Sequence, residues 1–176
     1  MTSQTCKRKR NRKPNSGIWR RNEAKVQRSE GRAYTGYQRV NKRVIHDTLR
    51  TARKMGAPCK SKECLQRKAR MCLEISKEQR LKIFEDFWQK TSWDQKKTYV
   101  VCHVILSPTK RRHTDGNESR RNNTLTYHLT VGGEKLEVCK NLFLSTLGLG
   151  EKSVQAWVKN NGDVAIPHSK KHCNMI

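Results

Sequence analysis

The sequence has few acidic residues and no long apolar segment. It contains 15 Asp and Glu against 39 Lys and Arg, so its formal net charge is +24. No apolar run approaches the length that spans a membrane, and the polar, basic start is not followed by the apolar stretch of a secretory signal. We therefore expect the seven cysteines to be in a reducing compartment, where disulfides are rare and thiols either bind metal or are simply buried.

The motifs of common lipid anchors and catalytic sites are also missing. Thr2 excludes N-myristoylation, and the last four residues, CNMI, do not match a prenylation box. There is no nucleophile elbow around a serine, no phosphate-binding glycine loop and no helical pair of metal-binding histidines. The acidic residues form no set suited to a two-metal nuclease. We expect neither a membrane partner nor an enzymatic activity.

The positive charge is concentrated at the N-terminal end. Residues 1–60 hold 18 Lys and Arg against three Asp and Glu, and six of residues 7–13 are basic. Such a run cannot bury a core, so we expect it to be disordered when unbound and to act as a nuclear-import signal or a nucleic-acid arm, with a merely solvated tail as the alternative. Because each cation placed at a phosphate releases a counterion, we expect a nuclear protein that binds DNA, with RNA possible.

Composition and periodicity predict a mainly helical α+β chain in three parts. Residues 1–55 form a basic arm, largely disordered, with one short helix near residues 18–30 and a weakly patterned linker after it. Residues 56–162 form a small α+β domain that contains the cysteine cluster, core helices, one β-hairpin and a helix-turn-helix-like pair. Residues 163–176 form a polar tail.

Two helix starts carry capping-box spacing. Ser76 and Gln79 begin a predicted core helix, and Ser92 and Gln95 begin the next one. In the first helix the expected core residues, at helical intervals, are Leu81, Phe84, Phe87 and Trp88. The second carries Tyr99, Val100, Cys102, His103 and Ile105, and its β-branched run leaves a strand open as an alternative.

A β-hairpin and a helix pair are predicted toward the C-terminal end. Alternating apolar residues from Leu125 to Val131 precede Gly132 and Gly133, which supply the positive φ values that a tight hairpin turn requires. An apolar helix then ends near Gly148, and a second helix carries Val154, Trp157 and Val158. Two short helices across a glycine-containing turn are typical of a helix-turn-helix, although an ordinary helical hairpin fits equally.

Three cysteines lie in one basic segment and raise the question of a metal site. Cys59, Cys64 and Cys72 have spacings of five and eight residues, and only the first pair comes near the spacing of zinc ligands. Neighbouring Lys and Arg favour thiolates, and the segment has too few apolar residues to bury three thiols. Cys102, His103 and Cys139 are the candidates for a fourth ligand. We assign a possible zinc site to Cys59, Cys64, Cys72 and Cys102, with buried or idle thiols, or a redox role, as alternatives.

The predicted nucleic-acid-binding residues come from four places along the chain. They are basic side chains of the N-terminal arm, of the first helix and of a polar loop at residues 107–123, together with polar and basic side chains on the exposed side of the last helix. The set comprises Arg12, Lys13, Arg20, Arg21, Lys25, Arg111, Arg112, Lys152, Ser153, Gln155 and Lys159.

The order of these features resembles a family. The basic helix followed by RSEGRAY, the Cys59, Cys64 and Cys72 cluster, RLKIFEDFW, KRRHTDGNESRRN, YHLTVGGEKLEVCK and FLSTLGLGEKSVQAWV span about residues 17–160. Together they resemble the N-terminal region of a group of uncharacterised invertebrate proteins that look like products of transposable elements. The resemblance implies a DNA-associated mobile-element module, and in longer members a part resembling a transposase or nuclease catalytic domain follows this region.

The sequence therefore predicts a nuclear DNA-binding module without a catalytic domain of its own. The alternative is a protein-interaction or self-assembly module, whose charge serves nuclear import and solubility. In that case Phe87, Trp88 and the hairpin face would contact a partner.

Overall fold

The computed structural model describes residues 19–67, 69–108 and 123–160. Within these ranges the chain is α+β and mainly helical, with one two-stranded and one three-stranded antiparallel sheet, which confirms the predicted fold class. No helix of the described part is long and apolar enough to cross a membrane.

The segment after the first helix forms strands where the sequence predicted a linker. Helix α1 spans Arg20–Ser29. Strands β1 (Tyr34–Val40) and β2 (Arg43–Arg50) follow it in the sequence and pair antiparallel with each other. Their tight turn places Asn41 and Lys42 at φ values of 47° and 64°. Because most of both strands is exposed on both faces, the apolar alternation of a half-buried strand is missing from the sequence. We call β1 and β2 the N-terminal ribbon.

The first predicted core helix is present with its cap. After a short helix α2 (Lys62–Gln66), helix α3 runs over Lys77–Glu85 and continues as a π-helical turn over Asp86–Lys90. The Ser76 hydroxyl accepts the backbone N–H of Gln79 at 3.2 Å, and the Gln79 side chain accepts that of Ser76 at 2.8 Å. The capping box read from the sequence is therefore confirmed.

The second capping box begins a segment that starts as a helix and ends as a strand, the two alternatives that the sequence predicted. Ser92 and Gln95 exchange the same pair of hydrogen bonds, and helix α4 spans Trp93–His103. The β-branched end of the segment then leaves the helix and forms strand β3, Val104–Pro108. The switch agrees with the strand preference of β-branched residues.

The predicted hairpin belongs to a three-stranded sheet. Strands β4 (Asn123–Val131) and β5 (Glu134–Val138) pair antiparallel, and β3 adds to the other edge of β4. Gly132 and Gly133 have φ values of 59° and 89°, which side chains disfavour, so the glycine pair fits the turn as predicted.

The last two helices form the predicted pair. Helix α5 spans Lys140–Leu147 and ends at Gly148 in the left-handed conformation, and helix α6 spans Glu151–Asn160. In α6, Val154 and Val158 are buried and Trp157 is half-buried, while the other residues of the helix are exposed. Helix α5 packs against α3 and β4, and α6 packs against α4.

The core lies between helices α3 to α6 and the three-stranded sheet. Apolar side chains from the π-helical turn that continues α3, from α4, α5 and α6 and from β4 are almost completely buried, and their removal from water is the main source of stability. The most buried are Phe87, Val100, Leu129, Leu142, Phe143, Leu147 and Val154.

One expected core residue is exposed, and two cations are buried instead. Leu81 exposes 43% of its surface, whereas Arg80 and Lys96 expose 2% and 1%. The Arg80 guanidinium donates hydrogen bonds to Thr146 Oγ1, Ser145 Oγ and two backbone carbonyls, and Lys96 lies over two aromatic rings and donates to carbonyls. These partners satisfy the cations, so burial is possible there despite their charge.

Candidate metal centre and nucleic-acid-binding residues

Four cysteine sulfurs converge at one point of the described structure. Cys59, Cys64, Cys72 and Cys139 place all their sulfurs within 4.8 Å of one another, and three of the four residues are buried. With zinc–sulfur bonds of about 2.3 Å, the sulfurs of a regular tetrahedral site are about 3.8 Å apart. The four thiols can therefore hold a metal ion.

Backbone contacts join Cys72 to Cys139, although the two are 67 residues apart in the sequence. The backbone N–H of Cys139 donates to Cys72 Sγ at 3.1 Å, and the N–H of Met71 donates to the carbonyl of Glu137 at 2.9 Å. Cys139 is also the N-cap of α5, where its sulfur accepts the N–H of Leu142 at 3.3 Å. The turn before α3 is thus attached to the junction between β5 and α5.

The other two cysteines come from the chain before that turn. Cys59 lies in an irregular segment, with its sulfur 3.5 Å from that of Cys139, and Cys64 lies in α2. The Arg70 guanidinium lies 3.6 Å from Cys64 Sγ. The four cysteines therefore come from three separate stretches of the chain, which are residues 59–64, the turn before α3 and the start of α5.

The thiols differ in how readily they ionise. Burial raises the pKa of Cys59, and it raises that of Cys72 to about 12. Burial acts the same way on Cys64, but hydrogen bonds from Arg70 and the neighbouring thiols outweigh it, so the pKa of Cys64 is lowered. Of these three thiols, Cys64 therefore ionises most readily, while Cys59 and Cys72 keep their protons at neutral pH.

The sequence-based choice of Cys102 as fourth ligand is wrong, because Cys139 is the residue that joins the other three. The backbone carbonyl of Cys102 accepts a hydrogen bond from Lys135, which is near the start of β5. Cys139 directly follows the last residue of the same strand. Four residues of strand separate the two ends by about 13 Å. The remaining candidate, His103, has both ring nitrogens within 2.7 Å of other partners, the Tyr99 carbonyl and the Thr130 hydroxyl.

The α6 residues expected to contact nucleic acid all lie on its exposed surface. Lys152, Ser153, Gln155 and Lys159 are exposed, while Val154 and Val158 hold the helix to the core. The side-chain amide of Gln155 donates to Glu151 at 3.0 Å, and Lys140 lies at the same distance from that carboxylate. The geometry leaves Lys152 and Lys159 pointing to solvent from opposite ends of one helix.

The α1 residues form a second basic surface. Arg20, Arg21 and Lys25 are on one wall of a cavity whose other wall is the N-terminal ribbon. Arg20 also pairs with Asp47 of the ribbon at 3.2 Å, although both side chains are largely exposed. The remaining predicted residues, Arg12, Lys13, Arg111 and Arg112, lie outside the described ranges.

In comparisons with known proteins, no family model, no curated protein and no solved structure matches this chain.

Proposed function

We propose that this protein is a nuclear module that binds duplex DNA without catalysing a reaction on it, and that a structural zinc ion occupies the four-cysteine site. The net charge of +24 supports a polyanionic partner. The resemblance to mobile-element products supports DNA over other polyanions. The N-terminal segment in which six of residues 7–13 are basic supports import into the nucleus.

The observation that carries the DNA-binding proposal is that α6 is amphipathic. Its apolar side is buried against the core, and its exposed side presents Lys152, Ser153, Gln155 and Lys159. A helix of this kind fits the major groove of duplex DNA, where lysines contact phosphates and amide or hydroxyl groups reach base edges. The short turn through Gly148 connects it to α5 as in a helix-turn-helix.

The zinc proposal follows from the donor set. Four thiols with no histidine, carboxylate or open position are typical of structural zinc sites, and a tetrahedral set of sulfurs also suits iron. The ion would join residues 59–72 to Cys139, the N-cap of α5. Because α5 leads directly into α6, a metal here would help to fix the helix pair that faces the DNA.

The alternative, a protein-interaction module, has less support. It would use Phe87, Trp88 and the hairpin face as contact surfaces, but the Phe87 and Trp88 side chains are only 0% and 5% exposed. Trp88 also donates its indole N–H to the Leu147 carbonyl at 3.0 Å. Side chains held in the core in this way are not available to a partner protein.

The test is the salt dependence of duplex binding by the full chain with Lys152→Ala and Lys159→Ala combined. If both lysines contact phosphates, the slope of log K against log salt decreases by about 1.8, because each contact contributes about 0.9. Lys77→Ala with Lys82→Ala is the matched control, since it removes two exposed lysines from α3. Equal affinities for the α6 variant and the unaltered protein at two salt concentrations would exclude α6 from the interface.

A further inference from the structure

A large basic cavity separates α1 from the N-terminal ribbon. Its volume is about 1340 Å³, and its lining extends from Arg20 at the start of α1 to Gly148 at the turn before α6. No role for the ribbon follows from the proposed contacts of α6, and the sequence alone did not indicate that a cavity is present here.

The residues that line the cavity are predominantly positively charged. Eight of its lining residues are Lys or Arg, contributed by α1, by the ribbon and by residues 53–54, and only Glu23 and Asp47 are acidic. Asp47 pairs with Arg20, but an ion pair as exposed as this one is weak and screened by salt. The walls therefore attract an anion with several charges along its length.

Aromatic side chains line the same cavity. Two of the four tyrosines of the chain, Tyr34 and Tyr37, are part of its lining. Tyr37 keeps 66% of its surface exposed, and its backbone carbonyl is held by a hydrogen bond of 2.9 Å from the Arg50 guanidinium. An exposed ring on a fixed backbone, beside a row of cations, is the combination on which proteins stack the bases of single strands.

We propose that the cavity binds a segment of unpaired nucleotides, with its phosphates on the cations of α1 and the ribbon and a base on Tyr37. Unpaired strands favour this site over a duplex, because in a duplex each base is already stacked between its neighbours and leaves no face for a tyrosine ring. The shared chemistry is a phosphodiester chain with an accessible base face, from either DNA or RNA. This inference goes beyond duplex binding by α6 and does not require it.

The test measures binding of fluorescent oligonucleotides of about 12 nucleotides, within the usual range of such sites. The probes are oligo(dT), oligo(U) and a duplex of the same length, and the protein is the full chain. Tyr37→Ala is expected to weaken binding of at least one single strand by about 5- to 150-fold, the worth of one stacked base. Tyr37→Phe keeps the ring and should bind like the unaltered protein.

A second variant tests the cations. Arg39→Ala removes one exposed cation of the ribbon and should lower the slope of log K against log salt by about 0.7 for a single strand. The α6 variant, Lys152→Ala with Lys159→Ala, should leave single-strand affinity unchanged while it weakens duplex binding. The stronger of the two single-strand probes then shows whether the site prefers the deoxythymidine or the uridine strand.

The outcomes separate this inference from the proposed function. If Tyr37→Ala binds both single strands as tightly as the unaltered protein, or weakens the duplex by the same factor, the single-strand site is excluded even where α6 still contacts duplex. If single strands bind through Tyr37 and the α6 variant has no effect on duplex, the single-strand site stands and the α6 proposal fails. Equal displacement of oligo(dT) by a polyglutamate peptide would show a site for any polyanion and would overturn the assignment.

Discussion

Replacing Cys139 by serine separates two roles that this residue combines. Its sulfur belongs to the four-cysteine cluster, and it also caps α5 by accepting the N–H of Leu142 at 3.3 Å. Serine is a preferred N-cap, so Cys139→Ser keeps the cap and removes a thiolate ligand. In metal-free protein we expect the free energy of unfolding to change by no more than about 1 kcal/mol.

The unaltered protein and Cys139→Ser should differ in how much zinc raises the Tm. A ligand that binds only the folded state at about 100 times its Kd stabilises that state by about 2.7 kcal/mol. For a chain of this size, about 2–4 °C of Tm corresponds to 1 kcal/mol, so zinc should raise the Tm of the unaltered protein by about 5–11 °C. Cys139→Ser should lose this increase, because a neutral hydroxyl does not replace a thiolate on zinc.

The assay is thermal unfolding followed by circular dichroism under reducing conditions, with and without zinc, together with metal content by elemental analysis. Cys102→Ser is the matched control, since the structure places Cys102 outside the cluster. It should retain one zinc per chain and the full increase in Tm. Stoichiometric zinc in Cys139→Ser, or its loss in Cys102→Ser, would refute the assignment of the fourth ligand.

Two further predictions concern the buried basic residues His103 and Arg80. Burial lowers the pKa of His103 from 6.5 to about 4. The contribution of neutral His103 to the free energy of unfolding is therefore complete above pH 6.5. It is lost as the pH falls toward 4, because the unfolded chain takes up a proton first. Urea unfolding of metal-free protein should show a loss of about 3 kcal/mol over this range, and His103→Gln should remove that part of the slope. Arg80→Met leaves the hydroxyl of Thr146 and the carbonyls of Gly56 and Ala57 without their donor and should cost about 2–4 kcal/mol by urea unfolding. A cost below that of an exposed control such as Lys82→Met would show that these hydrogen bonds contribute little.

The elements that were predicted correctly depend on residues close together in sequence. The capping boxes at Ser76 and Ser92 each need only one partner three positions away, and the turn of the β4–β5 hairpin needs two glycines. Such signals carry their structural cause within a few residues. They therefore locate α3, α4 and the hairpin without knowledge of the rest of the fold.

The N-terminal ribbon was missed because its usual signals are absent. Its turn uses Asn41 and Lys42 rather than glycine, and its apolar residues, such as Val44 and Leu49, remain exposed. Asn tolerates positive φ, so Asn41 between two β-branched stretches was the one available clue. The buried position of Arg80 was also hidden, since its partners lie more than 20 residues away in sequence.

The sequence by itself determined the positive charge, the α+β class, the helix starts, the hairpin turn and the exposed residues of α6. Only the tertiary structure decided which cysteine completes the cluster, because Cys72 and Cys139 are 67 residues apart and meet through backbone contacts between the α3 turn and the end of β5. It also decided that α1 and the ribbon line a common basic cavity. Local patterns report the conformation of a few neighbouring residues, whereas a site assembled from distant segments depends on how the whole core packs.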